Sequence, residues 1–89
     1  MPGAVTNDAF AVALQALAWT LADDTRAERL VALTGLTPAD LRTRLDEPAT
    51  LAAVLGFVAA HEPDLIACAA TLDVKPEALV TALQTLEQA

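Results

Sequence analysis

Tyrosine and serine are absent from the 89 residues, and isoleucine, asparagine, lysine and cysteine occur once each. Each shortage excludes something. Two phenylalanines, one tryptophan, no tyrosine and one isoleucine leave these strand-favouring residues too sparse for a sheet. The single cysteine, Cys68, rules out an internal disulfide and agrees with a reducing compartment. Glycines scattered at positions 3, 35 and 56 make no phosphate-cradling loop. Without serine the commonest nucleophile is missing. Met1 to Asp8 carries no basic residue and does not read as a signal peptide. The longest uncharged run, Ala9 to Ala22, is shorter than the roughly 20 apolar residues that cross a bilayer. A cytoplasmic location and no membrane partner are therefore expected.

What is there is alanine and leucine, both strong helix formers. Hydrophobic residues make up 55% of the chain against 19% charged, a balance that excludes disorder and predicts an all-α fold. The absence of serine and near absence of lysine and asparagine read as the codon bias of a GC-rich bacterial genome. Net charge is −7. Residues 1–44 hold four arginines against five acids, whereas residues 45–89 hold one lysine against seven. Charge of this sign repels nucleic acid and anionic lipid.

Punctuation predicts about six short helices. The first starts after Thr6 or Asn7 and runs to about Ala22, with Phe10, Leu14, Leu17 and Leu21 as its apolar stripe. Residues 1–6 are expected to form a flexible lead, and residues 7–89 one helical domain. The second helix begins at Asp23 or Asp24, turns Ala27, Leu30, Val31 and Thr34 inward, and stops at Gly35 followed by Leu36. Thr37-Pro38-Ala39-Asp40 opens a short third helix as a capping box, with Leu41 and Leu45 as its buried pair. A fourth helix runs from about Pro48 to Ala60, with Leu51, Val54, Leu55 and Val58 inward. A fifth restarts at Pro63 and runs through Leu72, and a sixth starts at Pro76 and carries Leu79, Val80, Leu83 and Leu86.

Shifted by 38 residues, segment 8–45 aligns with 46–83 without a gap. Nine of the 38 pairs are identical, where this composition gives roughly four by chance. Asp8 meets Asp46, Leu17 meets Leu55, Pro38 meets Pro76 and Leu41 meets Leu79. Two related three-helix units are expected, with helices one and four as the buried centre.

No catalytic residue, metal ligand set or cofactor site is predicted. Cys68 lies in an Ala/Leu-rich helix that buries a thiol and raises its pKa. His61, the only histidine, falls in the last turn of the fourth helix, where it complements the dipole. His61 and Cys68 are separated by the break at Pro63, so they have no zinc-ligand spacing. The acid pairs Asp23-Asp24, Asp46-Glu47 and Glu62 with Asp64 all stand at helix starts, where capping accounts for them. One arrangement points outward. Leu30 to Arg44 has helix-turn-helix grammar, and Arg26, Arg29, Arg42 and Arg44 fall within 19 residues of one another. These four arginines are the candidate binding patch.

The segments Ala16-Leu17-Ala18-Trp19, Leu30 to Arg42, Asp46-Glu47-Pro48 and Leu51 to Phe57 together resemble a family of short, Ala/Leu-rich alphaproteobacterial proteins of unknown function. The Ala-Leu-Thr-Gly-Leu-x-Pro-x-x-Leu-Arg core is the most specific part. The chain departs from that pattern at Gly56, where a polar residue is usual, and at Asp73, where a turn glycine is usual. The resemblance implies a helical fold and a bacterial source, and no activity.

Two functions follow as expectations. The first is a non-enzymatic helical module that binds an unknown protein partner or forms a homo-oligomer, because so small a chain cannot easily hide so much apolar surface. The second is a helix-turn-helix nucleic-acid binder using the four arginines, disfavoured by the acidic chain.

Overall fold

All five prolines stand at the start of a helix, where a missing N–H costs no hydrogen bond. The computed structural model describes the backbone of residues 2–89 and the side chains of residues 8–89. Its helices are α1 (Pro2–Leu21), α2 (Asp24–Thr34), α3 (Pro38–Thr43), α4 (Pro48–Ala59), α5 (Glu62–Leu72) and α6 (Pro76–Glu87). Among the described residues there is no strand, and no single helix is long and apolar enough to cross a membrane.

Helix α1 begins at Pro2 rather than at Thr6 or Asn7. Proline suits a first turn, and neither Thr6 nor Asn7 breaks a helix once it has begun. The expectation of a flexible lead over residues 1–6 concerns Met1 and side chains that lie outside the described residues. The other boundaries follow the punctuation within a residue or so. Asp23 is extended and its carboxylate accepts the Arg26 N–H at 2.9 Å, capping α2. Thr37 and Asp40 form the reciprocal capping box of α3, with both bonds at 3.0 Å. The backbone N–H of Thr37 holds the Asp40 carboxyl below its usual pKa.

The 38-residue offset reappears in the helix boundaries. Helices α2 and α5 start and end 38 residues apart, α3 and α6 start 38 apart, and α1 and α4 end 38 apart. Both α2 and α5 end in a left-handed residue, Gly35 at φ 76° and Asp73 at φ 58°. Their N–H groups reach back to Val31 and Ala69, which are also 38 apart. Six aligned pairs are buried on both sides, among them Ala16 with Val54, Leu17 with Leu55, Leu30 with Cys68 and Leu41 with Leu79.

The two left-handed positions should respond oppositely to substitution. A Cβ at Gly35 would meet nothing within 4 Å, so Gly35→Ala suffers only the left-handed backbone penalty, about 1–2 kcal/mol. Asp73→Gly relieves the same strain and is expected to stabilise by up to about 1 kcal/mol. Urea midpoints of the two variants check both signs.

The core sits on α4, which buries Thr50, Leu51, Val54, Leu55, Phe57 and Val58. Helices α1 and α6 pack against it and against each other, while α2 and α5 flank it. Helix α6 contributes Leu79, Ala82 and Leu86. The short α3 tucks in Leu41 and leaves Leu45 half-buried. In α2 only Leu30 is fully buried.

Two expectations about α1 need correcting. Its inward face is Ala9, Ala13, Ala16, Leu17 and Thr20, whereas Leu14 and Leu21 point to solvent and Phe10 is half-buried. Helix α1 is therefore not buried all round, and α4 alone is the centre. The reason is size: a face of alanines brings the α1 backbone close to its neighbours, and interaxial distance follows the side chains at the contact. Thr20 is buried without penalty because its hydroxyl donates to the Ala16 carbonyl at 2.8 Å.

Candidate functional site

The turn at Ala22-Asp23 joins α1 to α2 and brings Arg26 over the end of α1. Its guanidinium carbon lies 3.8 Å from the centroid of the Trp19 ring. Its Nη2 donates to the Trp19 carbonyl at 2.6 Å, and Nη1 lies 3.9 Å from the Asp23 carboxylate. Arg26 thus satisfies a carbonyl in the last turn of α1, at the negative end of the helix dipole. The Nε is buried with no acceptor among the described residues.

Arg29 reaches the other way. Its guanidinium lies 5.4 Å from the Phe57 ring, and its Nη2 donates to Asp64 Oδ2 at 3.2 Å. This links α2 to the first turn of α5. Arg44 caps α3 and lies 3.8 Å from Asp40. Arg42 makes no ion pair among the described residues. Three of the four candidate arginines thus have an acidic partner within the fold, Arg44 the most exposed of them, and Arg42 alone has none among the described residues.

Groups with chemical potential are taken up by folding. Cys68 is fully buried, and burial pushes its thiol up to about 11. At pH 8 its thiolate should be about 100-fold scarcer than that of an ordinary thiol titrating at 9.0. Iodoacetamide is therefore expected to label native chain at least that much more slowly than urea-unfolded chain, as mass spectrometry would show. The linkage has a sign. The folded thiol holds its proton where the unfolded one releases it, so stability should fall as pH rises from about 9 to about 11.

His61 is not in the last turn of α4. It is the extended N-cap of α5, with φ −122°, and its side chain makes no cap hydrogen bond. The break occurs because Ala60 closes α4 through the Gly56 carbonyl, one residue earlier than the punctuation implied. The acids do stand at helix starts. Asp23 caps α2, Glu47 occupies the N-cap of α4, and Glu62 and Asp64 lie in the first turn of α5. Among the described residues no three His, Cys, Asp or Glu side chains gather as a metal site.

Four large apolar side chains remain on the surface among the described residues. Leu14 is 41% exposed, Leu21 43%, Leu33 73% and Ile66 53%. Leu14 and Leu21 share the outer face of α1 with Ala11, Gln15, Ala18 and Ala22, all exposed. A cleft runs along each side of that face. One, of about 290 Å³, is lined by Leu17 and Leu21 of α1, Ala27 and Val31 of α2, and Pro38 and Leu41 of α3, with Arg42 beside them. The other, of about 520 Å³, lies between α1 and α5 and is lined by Gln15, Ala18, Trp19, Ala22, Thr71 and Leu72. The sequence reading missed this face because it turned Leu14 and Leu21 inward. The signal was present in the uncharged run Ala9 to Ala22, which offers more apolar positions than one buried face can use.

No curated protein and no solved structure matches the chain. A family model does, described as a protein of unknown function (DUF3572), over residues 6–89. The match takes in every helix from the body of α1 to the end of α6, and on that extent the chain belongs to the DUF3572 family.

Proposed function

We propose that the chain is a non-enzymatic helical interaction or self-association module of the bacterial cytoplasm, whose outer apolar side chains are covered by another protein molecule. The bacterial assignment rests on the serine-free, Ala/Leu-rich composition. The observation that carries the reading is the outer face of α1, where Leu14 and Leu21 stay exposed although the core is complete without them. Isolated exposed leucines are ordinary on a protein surface, so Leu33 and Ile66 alone argue little. Two on one uncharged helix face, with a cleft on each side, make a contiguous patch of the kind that marks a contact site. The geometry favours the helix-turn-helix reading less. Helix α3 has only six residues, and the guanidinium groups of Arg26 and Arg29 already have partners.

Photo-crosslinking tests the proposal. A benzophenone side chain placed at position 14, 21, 33 or 66 in cells should give discrete adducts at 14 and 21. Exposed polar positions 25 and 84 should give none. Equal labelling at all six positions, or none at 14 and 21, overturns it.

A further inference from the structure

The outer face of α1 has a regular spacing. Ala11, Leu14, Ala18 and Leu21 are all exposed and follow one another at intervals of three, four and three residues. That is the spacing of a helix seam that packs side chains into the gaps of a facing helix. Resting on the reading that this face is a contact surface, we infer that its partner is a second copy of this chain, with the two α1 helices antiparallel. The argument for a copy is self-complementarity. Reversed about residue 16, the seam sets Leu14 against Ala18 of the other copy and Leu21 against Ala11, so every leucine faces an alanine. A parallel pair would set leucine on leucine and alanine on alanine, with crowding at one level and a gap at the next. The antiparallel pair is also a closed two-fold arrangement and opposes the two helix dipoles.

Charge supports the same occupant. Each copy carries −7, so two copies repel over most of their surfaces. Ala9 to Ala22 holds no charged residue, so two acidic chains can meet along this face with like charges opposed only at its ends, where Asp8 comes opposite Asp24 of the other copy. Self-association should therefore tighten as salt screens the overall repulsion. An acidic or nucleic-acid partner held by Arg42 and Arg44 would instead be weakened by salt.

Sedimentation equilibrium of the full chain, from about 10 μM to about 1 mM, reads the result directly. A reversible monomer–dimer equilibrium is expected, tighter at high salt than at low. Leu14→Glu with Leu21→Glu should weaken it at least tenfold, with the helical circular dichroism of the monomer unchanged because both positions are exposed. Ile66→Glu should leave it unaltered. Orientation is read by oxidising an equimolar mixture of Leu14→Cys and Ala18→Cys chains, in which mixed 14–18 dimers should dominate over 14–14 dimers. A monomer throughout, a dimer indifferent to the double variant, or a preference for 14–14 linkage overturns the inference. Adducts at positions 14 and 21 of a mass other than a second copy would also overturn it, while leaving the interaction-module reading intact.

Discussion

Leu55→Ala is expected to destabilise the chain by about 3–5 kcal/mol, against a total that for this length is roughly 5–10 kcal/mol. Leu55 is 1% exposed in the middle of α4, the helix on which the others pack. Removing three of its carbons loses their burial and leaves a cavity that Val54 and Val58, each 0% exposed on the same helix, are too constrained to fill. At 4–8 °C per kcal/mol for a domain of this size, the melting temperature should drop by more than about 12 °C. Leu33→Ala provides the contrast. That leucine is 73% exposed, and its loss should change stability by no more than about 0.5 kcal/mol. Comparable losses at the two positions would mean that α4 is not the centre of the fold.

The second large effect belongs to Arg26. Arg26→Met preserves much of the side-chain volume over Trp19 but removes a charged hydrogen bond and a cation–π contact. Hydrogen bonds to charged groups contribute about 1.5–3 kcal/mol, and a partly desolvated cation–π pair about 1–2 kcal/mol. Against these gains stands the buried Nε without an acceptor, so the net loss expected is about 2 kcal/mol. Trp19 is the sole tryptophan, which makes its emission a private reporter: a red shift at low denaturant is expected before global unfolding, as the end of α1 loosens. Arg26→Lys should fall between the two, keeping the charge but not the planar stack. An Arg26→Met chain as stable as wild type would show that the end of α1 needs no cap.

The helices were legible in the sequence because each carries a local signal. Pro38, Pro48, Pro63 and Pro76 start helices for a reason contained in the residue itself, and Gly35 ends one in the same way. Asp73 adopts a glycine-like conformation that the residue itself does not announce; it was readable only from outside its own segment, through the family pattern and through the 38-residue offset from Gly35. The inward face of α1 was not legible. Its sequence is apolar on nearly every side, so period alone offers both Leu14 with Leu21 and Ala9 with Ala13 and Ala16 as candidate faces. Only the fit against α4 and α6, which favours small side chains, decides between them.

The candidate site divides along the same line. The four arginines were found from their spacing on the chain, but spacing does not show that the tight turn at Asp23 throws Arg26 back over Trp19. Nor does it show that α5 presents Asp64 to Arg29. Long-range partners decide what a surface charge is free to do. His61 was placed in the wrong helix because α4 ends one residue early, a difference smaller than local sequence signals resolve.

That the bare face of α1 seats a second copy of the chain is the central claim, and amide chemical shifts on dilution test it most directly. Spectra of ¹⁵N-labelled chain at about 1 mM and about 20 μM should differ at Ala11, Leu14, Gln15, Ala18 and Leu21 and at neighbours lining the two flanking clefts. Core amides such as Leu55 and Val58 should stay in place. Spectra that superimpose at every residue, or shifts confined to α3 and α5 with α1 unmoved, would contradict it.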